Sequence, residues 1–249
     1  MSDNYDRIAR FYDVDMARNM PFDDVGFYAQ VCARHGGTVL ELGCGNGRIL
    51  LALVARGIDA IGVDASAGML RELQRKAAAR ALPAPVARMD IARPALAPGF
   101  GVILCPYSLV TYLTEDGAAV RLFGRMRTLL RPGGVLVVDA FVPRPVTAQA
   151  EFACDYRRAF GELTLVRWKR LRPVDAATNR IERRYQLLAA DGAVVEQVDV
   201  AETIRPFPPE SLREAILAAG LVPAGEWWDY GQAADAASAQ FFTLAARTP

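Results

Sequence analysis

The chain has 249 residues, 52% hydrophobic and 23% charged, which is enough length and apolar material for a sizeable core. At about 150 residues per domain it suits one domain carrying an insertion. Lys plus Arg number 29 against 28 Asp plus Glu, and a net charge of +1 exerts no overall pull on a polyanion, so a nucleic-acid target is disfavoured. Four cysteines, at 32, 44, 105 and 154, form no C-x-x-C pair, and there is one histidine. Neither a zinc centre nor a disulfide framework is supported, and no metal is expected.

In chain order, MSDNYDR lacks the basic-then-apolar pattern of a secretory signal, and the apolar-looking run from Val102 to Leu113 is too short and interrupted to span a bilayer. A cytoplasmic protein without membrane contact is expected. Tyr5, Ile8, Ala9 and Tyr12 recur at helical spacing, and a second helix starts after Pro21 with Asp23 as cap and stops at Gly36-Gly37. Strands and helices then alternate: TVLEL, a glycine turn, a helix from about Asn46 to Arg56, IDAIGVD, and a helix from about Ser66 to Arg80. PVARMD, GVILC, a helix from about Thr114 to Leu130, the turn RPGG and VLVVDAF complete five strands joined by crossovers. Such alternation predicts a parallel sheet with helices on both faces.

After Pro143-Arg144-Pro145 the pattern changes. Segments near 152–160, 162–172, 179–190 and 193–205 are rich in Val, Thr, Tyr, Trp and Arg, with turn residues between them, and read as antiparallel strands. PPESLREAILAAGL restores a helix, and EWWDY and QFFTLAAR supply two last strands. The organisation expected is N-terminal helices over 1–37, a cofactor-binding core over 38–145, an antiparallel insert over 146–206, and a helix with the last two core strands over 207–249.

The most informative stretch is VLELGCGNGR, residues 39–48, a glycine turn between a strand and a helix. A dinucleotide fingerprint starting at Gly43 would need a glycine where Arg48 stands, and the third glycine is Gly47. Glu41, two residues before the first glycine, would repel a pyrophosphate and welcome a cation. S-adenosylmethionine fits, with a sulfonium, an ammonium and no phosphate. Asp64 ends the second strand, where a carboxylate can accept both ribose hydroxyls, and Asp90 ends the third, placed to accept from the adenine amino group. Each acid alone reads equally well as a helix cap or loop start; three together with the glycine turn point to one ligand.

The series VLELGCGNGR, IGVDAS, RMDIA, GVILC and LLRPGGVLVVDAF resembles the ordered motifs of class I S-adenosylmethionine-dependent methyltransferases, from about residue 38 to 142. The resemblance implies an α/β, Rossmann-like fold: a seven-stranded, mostly parallel sheet with helices on both faces and an antiparallel last strand, with the antiparallel insert following strand 5. It implies Glu41, Gly43 and Gly45 around the methionine portion, Asp64 and Ala65 at the ribose, Asp90 and Ile91 at the adenine, and the backbone near Cys105 under the methionine amino group. The N-terminal YDRIARFYD segment with the later insert looks like small-molecule N-methyltransferases, amino-sugar dimethyltransferases among them. That resemblance implies an entry segment folded over the cofactor, with Tyr12 and Arg18 near its methionine end, although Tyr5 and Tyr12 equally suit a helix stapled to the core.

The acceptor is a matter of protonation. An alkyl amine of pKa about 10 lies roughly 4 kcal/mol from its free base at neutral pH, whereas an alcohol near water's value of about 15.7 would cost roughly 11 kcal/mol without a base or metal. The one histidine, His35, precedes the first strand, on the sheet edge opposite the expected crevice, so it reads as structural. An amine, or an acidic hydroxyl, is therefore favoured over a plain alcohol. In CPYSLVTYL, after the fourth strand, Tyr107 and Tyr112 are the residues expected to position the acceptor, with Tyr112 also a weak base in the resemblance; ordinary packing is the competing use.

The insert carries Arg167, Lys169, Arg170, Arg172, Arg180, Arg183 and Arg184. These read as a solvated or dimer-forming strand face balanced by Glu162, Asp175 and Glu182, or as a basic wall for an anionic acceptor. The sequence thus points to methyl transfer to a small molecule, nitrogen before oxygen. An O-methyltransferase, and a cofactor-binding protein without transfer, remain as other readings. A NAD-binding oxidoreductase would be marked by tight NADH binding without binding of S-adenosylmethionine.

Overall fold

The strand–helix alternation after residue 38 closes as a seven-stranded sheet in a computed structural model that describes residues 2–249, except for the side chains of Ser2 and Arg18. Two N-terminal helices, α1 (Ser2–Ile8) and α2 (Tyr12–Asn19), are joined by a 3-10 turn and followed by α3 (Asp24–His35). The Asp23 side chain caps α3 by accepting from Gly26 N, and Gly36 ends it. Then come β1 (Val39–Leu42), α4 (Leu50–Val54), β2 (Ala60–Asp64), α5 (Ala67–Ala79), β3 (Val86–Arg88), β4 (Phe100–Cys105), α6 (Ala118–Leu129) and β5 (Leu130–Phe141). Four antiparallel strands follow: β6 (Ala153–Phe160), β7 (Leu163–Pro173), β8 (Asn179–Leu188) and β9 (Val194–Ile204). The chain returns through α7 (Pro209–Ala218), β10 (Val222–Trp228) and β11 (Phe241–Arg247).

The main sheet has the order β10-β11-β5-β4-β1-β2-β3, and β11 runs antiparallel to both its neighbours, as QFFTLAAR was expected to do. Its central strands are apolar on both faces because helices cover both. Leu40, Leu42, Ile103, Leu136 and Val138 pack with α6 and α7, while Val39, Val102, Leu104, Val135 and Val137 pack with α3, α4 and α5. The insert strands form a separate sheet, β6-β7-β8-β9.

Three local expectations shift. The helix after the glycine turn starts at Leu50 rather than Asn46, because the turn itself uses residues 43–49. The helix expected from Thr114 starts at Ala118, behind Gly117 in the left-handed conformation. RPGG is not a turn before β5 but lies within it: the register with β4 passes from Phe100↔Leu130 to Val102↔Val135, and the surplus residues are absorbed as an irregularity.

The N-terminal helices bridge the two sheets. Asp6 accepts from Ser66 Oγ and Gly68 N, both at 2.6 Å, and Asp13 accepts from Asn46 Nδ2 at 2.9 Å and Lys76 Nζ at 2.5 Å. On the other side Asn4 and Arg7 donate to the carbonyls of Ala201 and Asp199 in β9, and Ile8 and Phe11 complete the apolar cluster of the insert with Tyr156, Leu165, Tyr185, Leu187, Val198 and Val200. A Cβ on Gly68 would stand 2.7 Å from Asp6 Cα and 2.8 Å from Asp6 O, backbone that has little freedom to yield. Gly68→Ala is expected to lower stability by about 1–3 kcal/mol and to speed amide hydrogen exchange in residues 3–12. Unchanged protection there would refute the close approach as the source of docking.

Candidate active site

The carboxyl ends of β1, β2 and β4 open into a cavity of about 990 Å³, walled on one side by α1 and α2 and on another by the insert sheet. Open parallel sheets bind ligands at this edge. Of the residues singled out from sequence, Tyr12, Glu41, Gly43, Gly45, Asp64, Ala65, Asp90, Ile91, Tyr107 and Tyr112 all line it. Cys105 is wholly buried at the end of β4 and does not line it. The Arg18 side chain lies outside the described residues.

The turn between β1 and α4 has positive φ at Gly43, Gly45 and Gly47. At Gly47 a Cβ would also stand 2.7 Å from Leu73 Cγ, so the third glycine lets the turn seat against α5. Asp64 braces the turn: its carboxylate accepts from Gly45 N at 2.8 Å and Ser66 N at 2.7 Å, leaving lone pairs for a ligand. Burial raises the Asp64 carboxyl against those backbone bonds. Asp90 is exposed and accepts from Ala92 N at 2.9 Å.

Glu41 is 2% exposed, and burial pushes its carboxyl up to about 8 against the opposing pull of Arg48. Its Oε2 has no hydrogen-bond partner, nor has Asn46 Oδ1 in the adjoining turn. Buried polar atoms are rarely left so. Both lie on cavity-lining residues and both are acceptors. Arg48 is engaged in a fork with Asp24, at 2.7 and 2.6 Å. Donors and positive charge would satisfy both atoms.

At the other end Tyr5 and Tyr112 share a hydrogen bond of 2.5 Å between their hydroxyls. Burial raises the phenols of Tyr5, Tyr12 and Tyr107 above the usual range, so they stay protonated at neutral pH. The insert's cations are largely paired: Arg170 and Arg172 with Glu182, Arg183 with Glu202, Arg184 with Asp199. Arg167, Lys169, Arg183 and Tyr185 line the cavity. Glu182 thus acts as the balancing acid, whereas Asp175 caps the turn between β7 and β8. His35 ends α3 away from the cavity, with its carbonyl accepting from Arg131 at 2.7 Å.

Sequence reasoning missed Asp15, Asn46, Tyr5 as the partner of Tyr112, and the buried group of Asp15 with Arg167, Asp155, Tyr156 and Tyr185. A polar residue inside the glycine turn was the available signal for Asn46. Nothing local marks the Asp15 group, which joins α2 to the insert across a long stretch of chain. Among the described residues no cluster of three His, Cys, Asp or Glu side chains is placed to hold a metal, and no helix is long and apolar enough to cross a membrane.

Residues 39–134 match a family model described as a methyltransferase domain. "Putative methyltransferase YqeM" of Bacillus subtilis is 27% identical over 140 residues, 54% of this chain, and the chain spans about half the length of the curated relatives it matches. Among solved structures, an S-adenosylmethionine-dependent methyltransferase from Clostridium acetobutylicum is 17% identical with a TM-score of 0.80, covering 98% of both chains. DesVI of Streptomyces venezuelae is 18% identical with a TM-score of 0.75, over 96% of this chain and 97% of its own. These two likenesses speak to the Rossmann-like fold. The sugar N-methyltransferase KedS8 from a Streptoalloteichus species is 25% identical with a TM-score of 0.74, over 100% of this chain and 94% of its own.

Proposed function

We propose that this chain, whose residues 39–134 match a family model described as a methyltransferase domain, moves a methyl group from S-adenosylmethionine to a small-molecule acceptor, at an amine nitrogen. The observation that carries the reading is the pair of unpartnered buried acceptors, Glu41 Oε2 and Asn46 Oδ1, at the glycine turn of a cavity large enough for two ligands. A cation with N–H donors answers both; a pyrophosphate answers neither. When bound, S-adenosylmethionine supplies a methyl group already activated on a sulfonium. In this reading Glu41 holds the ammonium end, with Gly43, Gly45 and Tyr12 around the methionine portion. Asp64 and Ala65 take the ribose, and Asp90 and Ile91 the adenine.

What remains for the chain is to align the acceptor and keep water out. Tyr107 and Tyr112 are the acceptor-positioning residues, with Tyr5 holding the Tyr112 hydroxyl. Protonated Tyr5 and Tyr107 donate or accept hydrogen bonds but take no proton readily. Asp15 and Asp155 are engaged by Arg167. An acceptor that yields its lone pair at modest cost, an amine, is what this wall suits, and the likeness to KedS8 supports the same choice.

The test is S-adenosylhomocysteine release with paired amino and hydroxy forms of the same small molecules, amino sugars included. The amino members are expected to be turned over at least tenfold faster. Preference for the hydroxy members overturns the nitrogen assignment, and binding without release across the panel overturns transfer.

A further inference from the structure

Five of the described non-glycine residues have positive φ, and four stand in two consecutive pairs: Tyr107–Ser108, at +54° and +55°, and Asp229–Tyr230, at +45° and +59°. Side chains of L-residues disfavour this region, and two in a row need something to hold them. Both pairs are tied to one carboxylate. Asp139 Oδ1 accepts from Ser108 N at 2.6 Å; its Oδ2 accepts from Tyr107 N at 3.0 Å, from Tyr230 OH at 3.0 Å and from Tyr28 OH. Two tyrosines from distant elements thus converge on the acid that grips the turn. Phe141 N, two residues on in β5, donates to Ser108 Oγ at 3.0 Å, so the same strand end holds the turn a second time.

Asp139 is wholly buried, the lone acid in the apolar run VLVVDAF, and does not line the cavity; Tyr107 and Ser108 do. Four donors meet its two oxygens, a pattern that suits a carboxylate. Burial nonetheless holds the group above the usual carboxylate range, with the four hydrogen bonds opposing it.

We propose that Asp139 is the positioning residue of this active site: its carboxylate holds the Tyr107–Ser108 turn left-handed and thereby sets where the Tyr107 side chain meets the acceptor. The proposal rests on the methyl-transfer reading for its kinetic consequence, but its structural claim is separately measurable. In the wild-type protein the Tyr107 and Ser108 amides, though in a loop, are expected to exchange with solvent as slowly as strand amides of β4. Exchange at the rate of an open loop would overturn the proposal without any variant.

Asp139→Asn presents a donor where the turn needs an acceptor. It is expected to speed exchange at Tyr107 and Ser108 at least tenfold, with β1 and β4 still protected. The kcat for the acceptor should fall about 100-fold, while the KM for S-adenosylmethionine stays within about threefold. Adding Ser108→Gly, which needs no carboxylate to remain left-handed but gives up the bond from Phe141 N, is expected to return about threefold of the lost kcat. A variant that melts earlier but keeps wild-type kcat and wild-type exchange at both amides would show Asp139 to be structural only. If the wild-type protein releases no S-adenosylhomocysteine with any acceptor, the functional reading fails while the exchange measurements still decide the hold on the turn.

Discussion

Glu41→Gln is expected to weaken S-adenosylmethionine binding about 10- to 100-fold at pH 8, the worth of a hydrogen-bonded charge pair in a buried site. In the unliganded protein the carboxyl titrates at about 8, so below that pH a bound cation must first displace its proton. Wild-type affinity should therefore rise from pH 6 toward pH 8, then decline as the ligand's own amino group, with a pKa of about 7.7–8.0, loses its charge. The glutamine variant should lack the rising limb. Stability should move the opposite way. A carboxyl raised from 4.5 to about 8 on folding favours the folded state below pH 4.5 and loses that advantage as pH climbs through about 8. The unliganded variant is thus expected to outlast wild type at pH 8, by about 3–5 kcal/mol at most. Titration calorimetry and thermal melts across pH check both, and unweakened binding at pH 8 would remove Glu41 from the cation site.

Arg167→Met should produce the largest loss of stability. Arg167 Nη1 lies 2.8 Å from Asp15 Oδ1, its Nε donates to Asp155 at 2.9 Å, and its Nη2 reaches Asn19 Oδ1 at 3.2 Å. Asp15 also accepts from Tyr185 OH at 2.7 Å and from Tyr156 OH. Burial and the neighbouring Asp15 raise both phenols, which keeps them as donors. Side chains of Arg167 and Asp15 are 5% and 7% exposed, so removing the cation strands a nearly buried carboxylate at the cavity wall, at about 3–5 kcal/mol. For a chain of this size that lowers the melting temperature by roughly 6–20 °C. Adding Asp15→Asn should recover part of it, because the stranded charge goes too. A shift under about 2 °C would mean that water screens the pair.

The legible parts of this molecule are those whose cause is local. Asp23, Gly36 and Pro209 punctuate helices through bonds or torsions within a few residues, and each fell where its neighbours required. Glu41, Asp64 and Asp90 could be placed at one edge because each stands at or just past the carboxyl end of its own strand of a parallel sheet. The groups that were not legible are pairings at a distance: Tyr185 to Asp15 spans 170 positions and Tyr28 to Asp139 spans 111. Periodicity carries no record of such partners. The insert's arginines show the same limit, since a run of cations looks free until the facing strand supplies Glu182 and Glu202. RPGG misled for the reverse reason: its turn chemistry is real, with Gly133 at positive φ, but β5 takes it up as an irregularity in its register with β4.

The bridging position of the first two helices also sets an order of events during synthesis. The strands that cover Ile8 and Phe11, β7 to β9, are made about 150 to 190 residues after them, roughly 10–40 s at ordinary elongation rates. Until then Ile8 and Phe11 lack the apolar cover that the insert gives them, although Asp6 can already dock on Ser66 and Gly68. The cavity wall contributed by α1 and α2 is consequently completed only when the insert is made, although it is translated before the strands that it faces.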